Sequence, residues 1–434
     1  MSGKNVIQKI LAKAVGKKSV ETGEYLIASS NCPTPGQGDT IGRGMEDIQK
    51  AGAKLFDPNR VYICVGKGLD GANVGETRAR VREWTKAMGV PKKNFVELGR
   101  HGVPVIVCGE HAWPRPGEIY FSMTDGATAT LGALGCFAIT LSSEAGAYLV
   151  IGSTWLQVPE VVRFTLSGKA QTGVMARDIY EYILGQIGAA GTTGQVILWD
   201  GDYTSGLSMD GRYSLCSNAI CSSAWTCIVE PDKTTLDYVK ARTKEPLRPV
   251  YGDPDAEYAQ HRTWDVSKIE PQVVLPPHRD GAVDVTKCEG KRITVCALGS
   301  CSNGYLEDMR IAAAILKGRQ VHPDVHLNIT PGSTEVYLQA IKEGLMQTFV
   351  EAGAYIPAPS CGVCGGGNHL VPGDVCIAST TVNLPGRMGS QQAEILLASS
   401  ATVAASAVEG CVTDPRKFLK NEPKAARPRA KRGG

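Results

Sequence analysis

The stretch Ser360-Cys361-Gly362-Val363-Cys364-Gly365-Gly366-Gly367 sets two thiols three residues apart in a run with almost no side-chain bulk. A C-x-x-C turn lets both sulfurs face one metal centre, and glycines let the backbone approach a bulky inorganic ligand closely. A third thiol, Cys301, lies in Gly299-Ser300-Cys301-Ser302-Asn303-Gly304, directly after the apolar run 293–298. Three thiolates are one short of a closed zinc or iron–sulfur site. An iron–sulfur cube held by three cysteines leaves one iron open as a Lewis acid. Adding His369 to the three thiols gives instead the Cys₃His set of a zinc site.

Working outward, the apolar run before Cys301 and the glycine-rich turn after it read as a strand feeding a loop. The helical spacing over 306–317, the apolar run 325–329 and the helical pattern over 335–349 continue the alternation. A strand over 375–379 and an alanine- and serine-rich buried helix over 391–408 complete an α/β domain, residues 291–414. The same grammar appears upstream. Residues 61–65 read as a buried strand running into Gly66-Lys67-Gly68, followed by a charged helix over 77–88. Strands are expected over 103–108, 118–123 and 160–166, and helices over 4–16 and 175–187. Residues 25–42, rich in Gly, Pro, Ser and Thr, read as loop. Residues 1–242 thus form two α/β domains, and the proline- and charge-rich segment 243–290 reads as a linker. The Lys- and Arg-rich tail 415–434, with the acid Glu422, reads as disordered and as a solubility or partner-contact element.

At 434 residues and 43% hydrophobic content, the chain can build two or three domains with sizeable cores. The net charge of +3 does not mark a nucleic-acid surface. Residues 1–20 lack a continuous apolar core of the signal-peptide kind, and no apolar run approaches membrane-spanning length. The fourteen cysteines are therefore read in a reducing cytoplasm, with Cys136, Cys227, Cys296 and Cys411 as small core residues.

The run 299–310, Gly-Ser-Cys-Ser-Asn-Gly-Tyr-Leu-Glu-Asp-Met-Arg, followed by Cys361-Gly362-Val363-Cys364-Gly365-Gly366, resembles the cluster-binding motifs of the aconitase superfamily, and most nearly those of 3-isopropylmalate dehydratase large subunits. The resemblance runs from about Val6 to about Val412. It implies three α/β/α domains around a central cleft, with a [4Fe–4S] cluster on Cys301, Cys361 and Cys364. It implies a hydro-lyase with a small-molecule substrate. The family's mobile swivel domain is expected on a separate small subunit and not in this chain, which makes the protein a homo- or hetero-oligomer.

Within that resemblance the proton-transfer positions are altered. The family's Asp-Ser-His-Thr falls on Asp125-Gly126-Ala127-Thr128, so Asp125 is the surviving carboxylate. Gly66-Lys67 stands at an Asp-His pair, and Val105 at another histidine. Lys67 is a candidate acid/base group. The cluster-facing asparagine and the catalytic glutamate fall on Ser217 and Cys221. A low-pKa thiol at Cys221 would move protons or ligate metal. Gln37 matches a polar contact in the first loop. The family's Asn-Arg-Asn-Phe-x-Gly-Arg falls on 381–387: Asn383, Gly386 and Arg387 remain, Thr381 stands at the first asparagine, and Val382 at the arginine that grips a substrate carboxylate. Asn303 completes the candidate binding set. The expectation is a hydratase or dehydratase for a less anionic, non-standard hydroxy acid. The other reading is a non-catalytic iron–sulfur or zinc protein, a sensor or a nucleic-acid-binding module.

Overall fold

In the computed structural model, residues 3–30, 34–37, 41–64, 74–97, 99–123, 126–365 and 369–419 are described. The largest sheet has six strands, in the order Ala282–Asp284, Gln272–Val274, Glu394–Ala398, Val375–Ala378, Val295–Leu298, His326–Ile329. Its four inner-to-edge strands from Glu394 to His326 run parallel, and the first two are antiparallel. Val295–Leu298 is buried at every position, as a central parallel strand covered on both faces must be. Helices Leu306–Leu316 and Ser400–Glu409 lie over this sheet and against each other.

A second sheet is all parallel, in the order Thr226–Val229, Val196–Asp200, Val161–Ser167, Gln260–Asp265. Smaller sheets pair Thr34–Gln37 with Val61–Cys64 and Phe95–Val96, and Ile119–Ser122 with Phe137–Thr140, all parallel. Tyr25–Ala28 pairs antiparallel with Thr154–Gln157. Segment 243–290 carries strands of its own: Gln260–Asp265 extends the second sheet, and Gln272–Val274 with Ala282–Asp284 extends the first. It therefore runs hydrogen-bonded from one sheet to the next.

Four sequence expectations change. Residues 103–108 belong to a helix, Pro104–Glu110, and not to a strand. A fully buried apolar run has no periodicity to separate the two, and Pro104 in the first turn forfeits no helical hydrogen bond. Residues 391–408 split into strand Glu394–Ala398 and helix Ser400–Glu409, with Ser399 between them accepting from Val403 N at 2.9 Å. Residues 335–349 are two helices, Thr334–Lys342 and Leu345–Glu351, parted by Gly344 in the left-handed region (φ 74°). Residues 25–42 hold two short strands and the start of helix Ile41–Lys50.

The largest core, which includes Val105, Ala127, Leu131, Cys136, Phe164, Trp199 and Tyr213, also takes in Cys361, with Cys301 and Cys221 packed against it. A separate core of Ile7, Leu26, Phe121, Phe137 and Leu156 lies under the amino-terminal helix Val6–Ala14. Among the described residues no helix is long and apolar enough to cross a membrane.

Candidate active site

Cys301 sits in the helical turn Ser300–Asn303 that follows the central strand Val295–Leu298. Cys364 sits in the tight turn Gly362–Gly365, with Cys361 just before it. These two turns lie together, with Cα atoms within 8 Å. Thr330, at the end of the neighbouring strand, is wedged between their glycines. A Cβ on Gly299 (φ 133°) would stand 2.3 Å from the Thr330 carbonyl oxygen. A Cβ on Gly362 (φ 57°) would stand 2.5 Å from Thr330 Oγ1. Both positions need glycine for space and for backbone conformation. Ser300 takes a positive φ of 74°, a strained conformation of the kind that collects at functional sites.

Cys361 and Cys364 are buried and Cys301 is half-buried. Among the described residues no three His, Cys, Asp or Glu side chains surround one point as a single metal ion requires. A four-iron cluster spreads its thiolates over different irons, so its donors need not converge on one point. His369 is exposed. The donor chemistry, the adjoining turns and the glycine cradle against Thr330 fit a three-cysteine cluster.

The loop after strand Val375–Ala378 closes on these thiols. Thr381 Oγ1 lies 3.4 Å from Cys301 Sγ, and Arg387 Nη2 lies 3.6 Å from Cys364 Sγ. Asn383 Nδ2 donates to the carbonyls of Leu275 and His278 at 3.4 and 3.3 Å, while its Oδ1 and Thr380 Oγ1 are buried without a partner. Buried polar atoms are ordinarily paired, so two orphans on one loop beside the thiols leave acceptors and donors available to a ligand.

Arg177, fully buried on helix Ala176–Ile187, fastens this loop to the Cys301 turn. Its Nη1 donates to Ser302 Oγ at 3.0 Å, Asn303 Oδ1 at 2.9 Å and the Ser379 carbonyl at 2.8 Å, and Nη2 donates to the Thr380 carbonyl at 2.6 Å. Glu181 pairs with Arg177 at 3.1 Å and also grips Arg279 with both oxygens. Arg279 further donates from Nε to the Thr381 carbonyl at 2.8 Å and from Nη2 to Asn218 Oδ1 at 3.3 Å. One carboxylate thus serves two guanidinium groups, Arg177 fully buried and Arg279 12% exposed. Sequence reading missed Arg177, Glu181 and Arg279. Arg279 follows two prolines in a polar segment, and nothing in the sequence marks a charge there as buried.

The expected site residues lie in different surroundings. Thr381 and Arg387 come to the cysteines, as given above. Asn303 and Ser217 are buried with their polar atoms committed inside the protein. Asn303 Nδ2 donates to Asp308 Oδ1 at 2.8 Å and Ser214 Oγ at 3.2 Å. Ser217 Oγ donates to the Ser214 carbonyl at 3.0 Å and accepts from Asn218 Nδ2 at 3.3 Å. Thr128 is buried at the 3₁₀ segment Gly126–Leu134, beside Ala127. Asp125, Lys67 and the side chain of Gln37 lie outside the described residues. Cys221 packs beside Arg279, but burial pushes its thiol up and the guanidinium opposes this only in part. The low-pKa thiol expected from sequence is therefore not what this environment makes: Cys221 is held protonated.

Val105, where the resemblance leads us to expect a histidine, is buried on helix Pro104–Glu110. That helix is pinned to the third domain by Val103 N donating to the Gly332 carbonyl at 2.7 Å, and by Ser333 Oγ donating to Glu110. Gly332 N in turn donates to the Gly304 carbonyl at 2.8 Å, just past Cys301. Val105 and Ala127 both belong to the largest core.

The model of the Aconitase family (aconitate hydratase) matches residues 73–290 and 281–410. Among curated proteins, the chain is 38% identical over 424 residues to 3-isopropylmalate dehydratase large subunit 1 of Methanopyrus kandleri, covering 96% of this chain and 100% of that one. It is 35% identical over 427 residues to the probable methanogen homoaconitase large subunit of Methanothermobacter thermautotrophicus, covering 96% and 99%. The holo-form crystal structure of Thermococcus kodakaraensis aconitase X superposes loosely, with a TM-score of 0.47 at 15% identity over 96% of each chain. The chain belongs to the aconitase family. It is an aconitase-type hydro-lyase, with the α/β architecture of that family.

Proposed function

We propose that this hydro-lyase uses a [4Fe–4S] cluster on Cys301, Cys361 and Cys364 to add or remove water on a small hydroxy acid less anionic than those of its named relatives. The observation that carries the reading is that the two cysteine turns adjoin around Thr330; the resemblance adds that Val105, Ala127, Val382 and Cys221 stand where family acid/base and carboxylate-binding groups are expected. When bound, the cluster supplies an open iron as Lewis acid toward a substrate hydroxyl or carboxylate.

The chain's own residues divide the remaining work. Arg387 and Thr381, next to the thiols, orient the substrate, and the orphaned Asn383 Oδ1 accepts a hydrogen bond from it. The shared positive charge of Arg177 and Arg279 favours an anion near Cys301. Asp125, by its place in the family motif, is the general base, and Lys67 is a second acid/base group. Cys221, protonated by burial, is the candidate acid that gives a proton from Sγ to the departing hydroxyl. Asn303, Ser217 and Thr128 hold the cleft walls in place, and Gln37 contributes a polar contact from the first loop. The relatives are named large subunits, so a separate small subunit is proposed to close the cleft.

Protein purified without oxygen tests this. Broad visible absorbance, with iron and sulfide present in cluster stoichiometry, is expected. A panel of mono- and dicarboxylic hydroxy acids, assayed with a small subunit present, should show hydration or dehydration of a mono-anionic member. A colourless, iron-free protein that stays so after anaerobic reconstitution overturns the proposal.

A further inference from the structure

The outward face of the antiparallel pair Tyr25–Ala28 and Thr154–Gln157 carries large apolar side chains where such a face is normally polar. Tyr25 and Ile27 alternate outward with Leu26 and Ala28 inward, and Trp155 stands directly across from Ile27 in the ladder. The rings of Tyr25 and Trp155 lie 6.1 Å apart. Ile151 and Phe56 extend the patch, with the Phe56 ring lying over Gly152. These five residues are between 60% and 69% exposed. Scattered surface hydrophobics need no explanation, but a contiguous apolar patch does.

We infer that this patch is a two-fold interface, and that its occupant is the same patch on a second copy of this chain. Five large side chains exposed to this degree leave roughly 650 Å² in water, close to the ~800 Å² per partner of a standard specific interface. A two-fold contact sets a surface against itself, so an unpaired charge near the axis would meet its own like charge. The five patch residues carry none. Of the charges just before the pair, Lys17 is bonded to Glu24, and Glu21 to Lys4, within the chain. The patch and the cysteines also rest on different cores. Leu26, Ala28 and Leu156, on the inner face, pack into the amino-terminal core, whereas the cysteine turns pack on the largest core.

The test is the solution mass of the full chain by light scattering and sedimentation across a dilution series. The chain's mass is 46.1 kDa. The wild-type protein should run at twice that, and Ile27→Lys and Trp155→Glu should each halve the apparent mass with an unchanged far-UV spectrum. Hydrogen exchange supplies a second reading: amides of 25–28 and 154–157 should lose protection on dilution of the wild-type protein. A monomer at every concentration overturns the inference. So does a dimer that both variants leave intact, or a patch that gains protection only when a different chain, such as a small subunit, is added.

Discussion

Neutralising Glu181 by Glu181→Gln isolates the charge arrangement behind the cysteines. The carboxylate is 1% exposed and is the direct ionic partner of both Arg177 and Arg279. The variant leaves two buried guanidinium groups facing an amide that can accept from them but cannot balance their charge. Removing one partner of a buried ion pair costs about 3–5 kcal/mol. For a chain of this length, 434 residues, about 4 kcal/mol corresponds to a drop of roughly 4 °C in Tm. Adding Arg279→Met should recover part of that loss, since it removes one uncompensated cation while Arg177 keeps its bonds to Ser302, Asn303, Ser379 and Thr380. The double variant should therefore be more stable than Glu181→Gln alone, an interaction of about 1–3 kcal/mol. Denaturant midpoints and calorimetry measure it, and the alkylation rate of Cys301 gives a local readout, because Arg177 ties the Cys301 turn to the loop bearing Thr381. A loss below about 1 kcal/mol for the single variant, or costs that simply add in the double, would refute the reasoning.

Three further outcomes are expected. Cys301→Ser, Cys361→Ser and Cys364→Ser should each lose iron and sulfide, because a hydroxyl is a poor substitute for thiolate; Cys136→Ser, whose thiol only donates to the Leu131 carbonyl in the core, should retain both. Isopropylmalate and citrate should be turned over at least about 10²-fold more slowly than by a relative that keeps these groups, because by the resemblance positioned acid/base groups are missing at Val105 and Ala127 and a charged clamp at Val382; turnover near about one per second, within the ordinary range for enzymes, would contradict it. Glu110 is pushed up to about 8, chiefly by burial, with its Ser333 hydrogen bond opposing. Its raised folded pKa means that the native state binds the extra proton, so stability falls as pH rises from about 4.5 to about 8. Glu110→Gln should accordingly stabilise by about 1–3 kcal/mol at pH near 9 and by little near pH 4, as urea midpoints across that range would show; a gain that grew on acidification would sink the assignment.

The sequence alone determined the α/β class, the three thiols and their glycines. Strand, glycine loop and helix are local patterns, and a C-x-x-C turn and its glycine spacing are local chemistry. The aconitase-like ancestry was legible for the same reason, since its motifs are short contiguous runs. Where a segment was buried on all sides, local pattern failed: 103–108 became helix and 391–408 became strand then helix, because a continuous apolar run has no face to read. The Cys221 environment was also beyond it, since burial is a property of what packs around a thiol. Only the tertiary structure decided that 243–290 delivers Arg279 to Glu181 and the Thr381 carbonyl, that Arg177 ties two distant loops together, and that Thr330 sits between Gly299 and Gly362. These contacts join residues up to some two hundred positions apart, and a long-range contact leaves no trace in the local order of residues that a single sequence records.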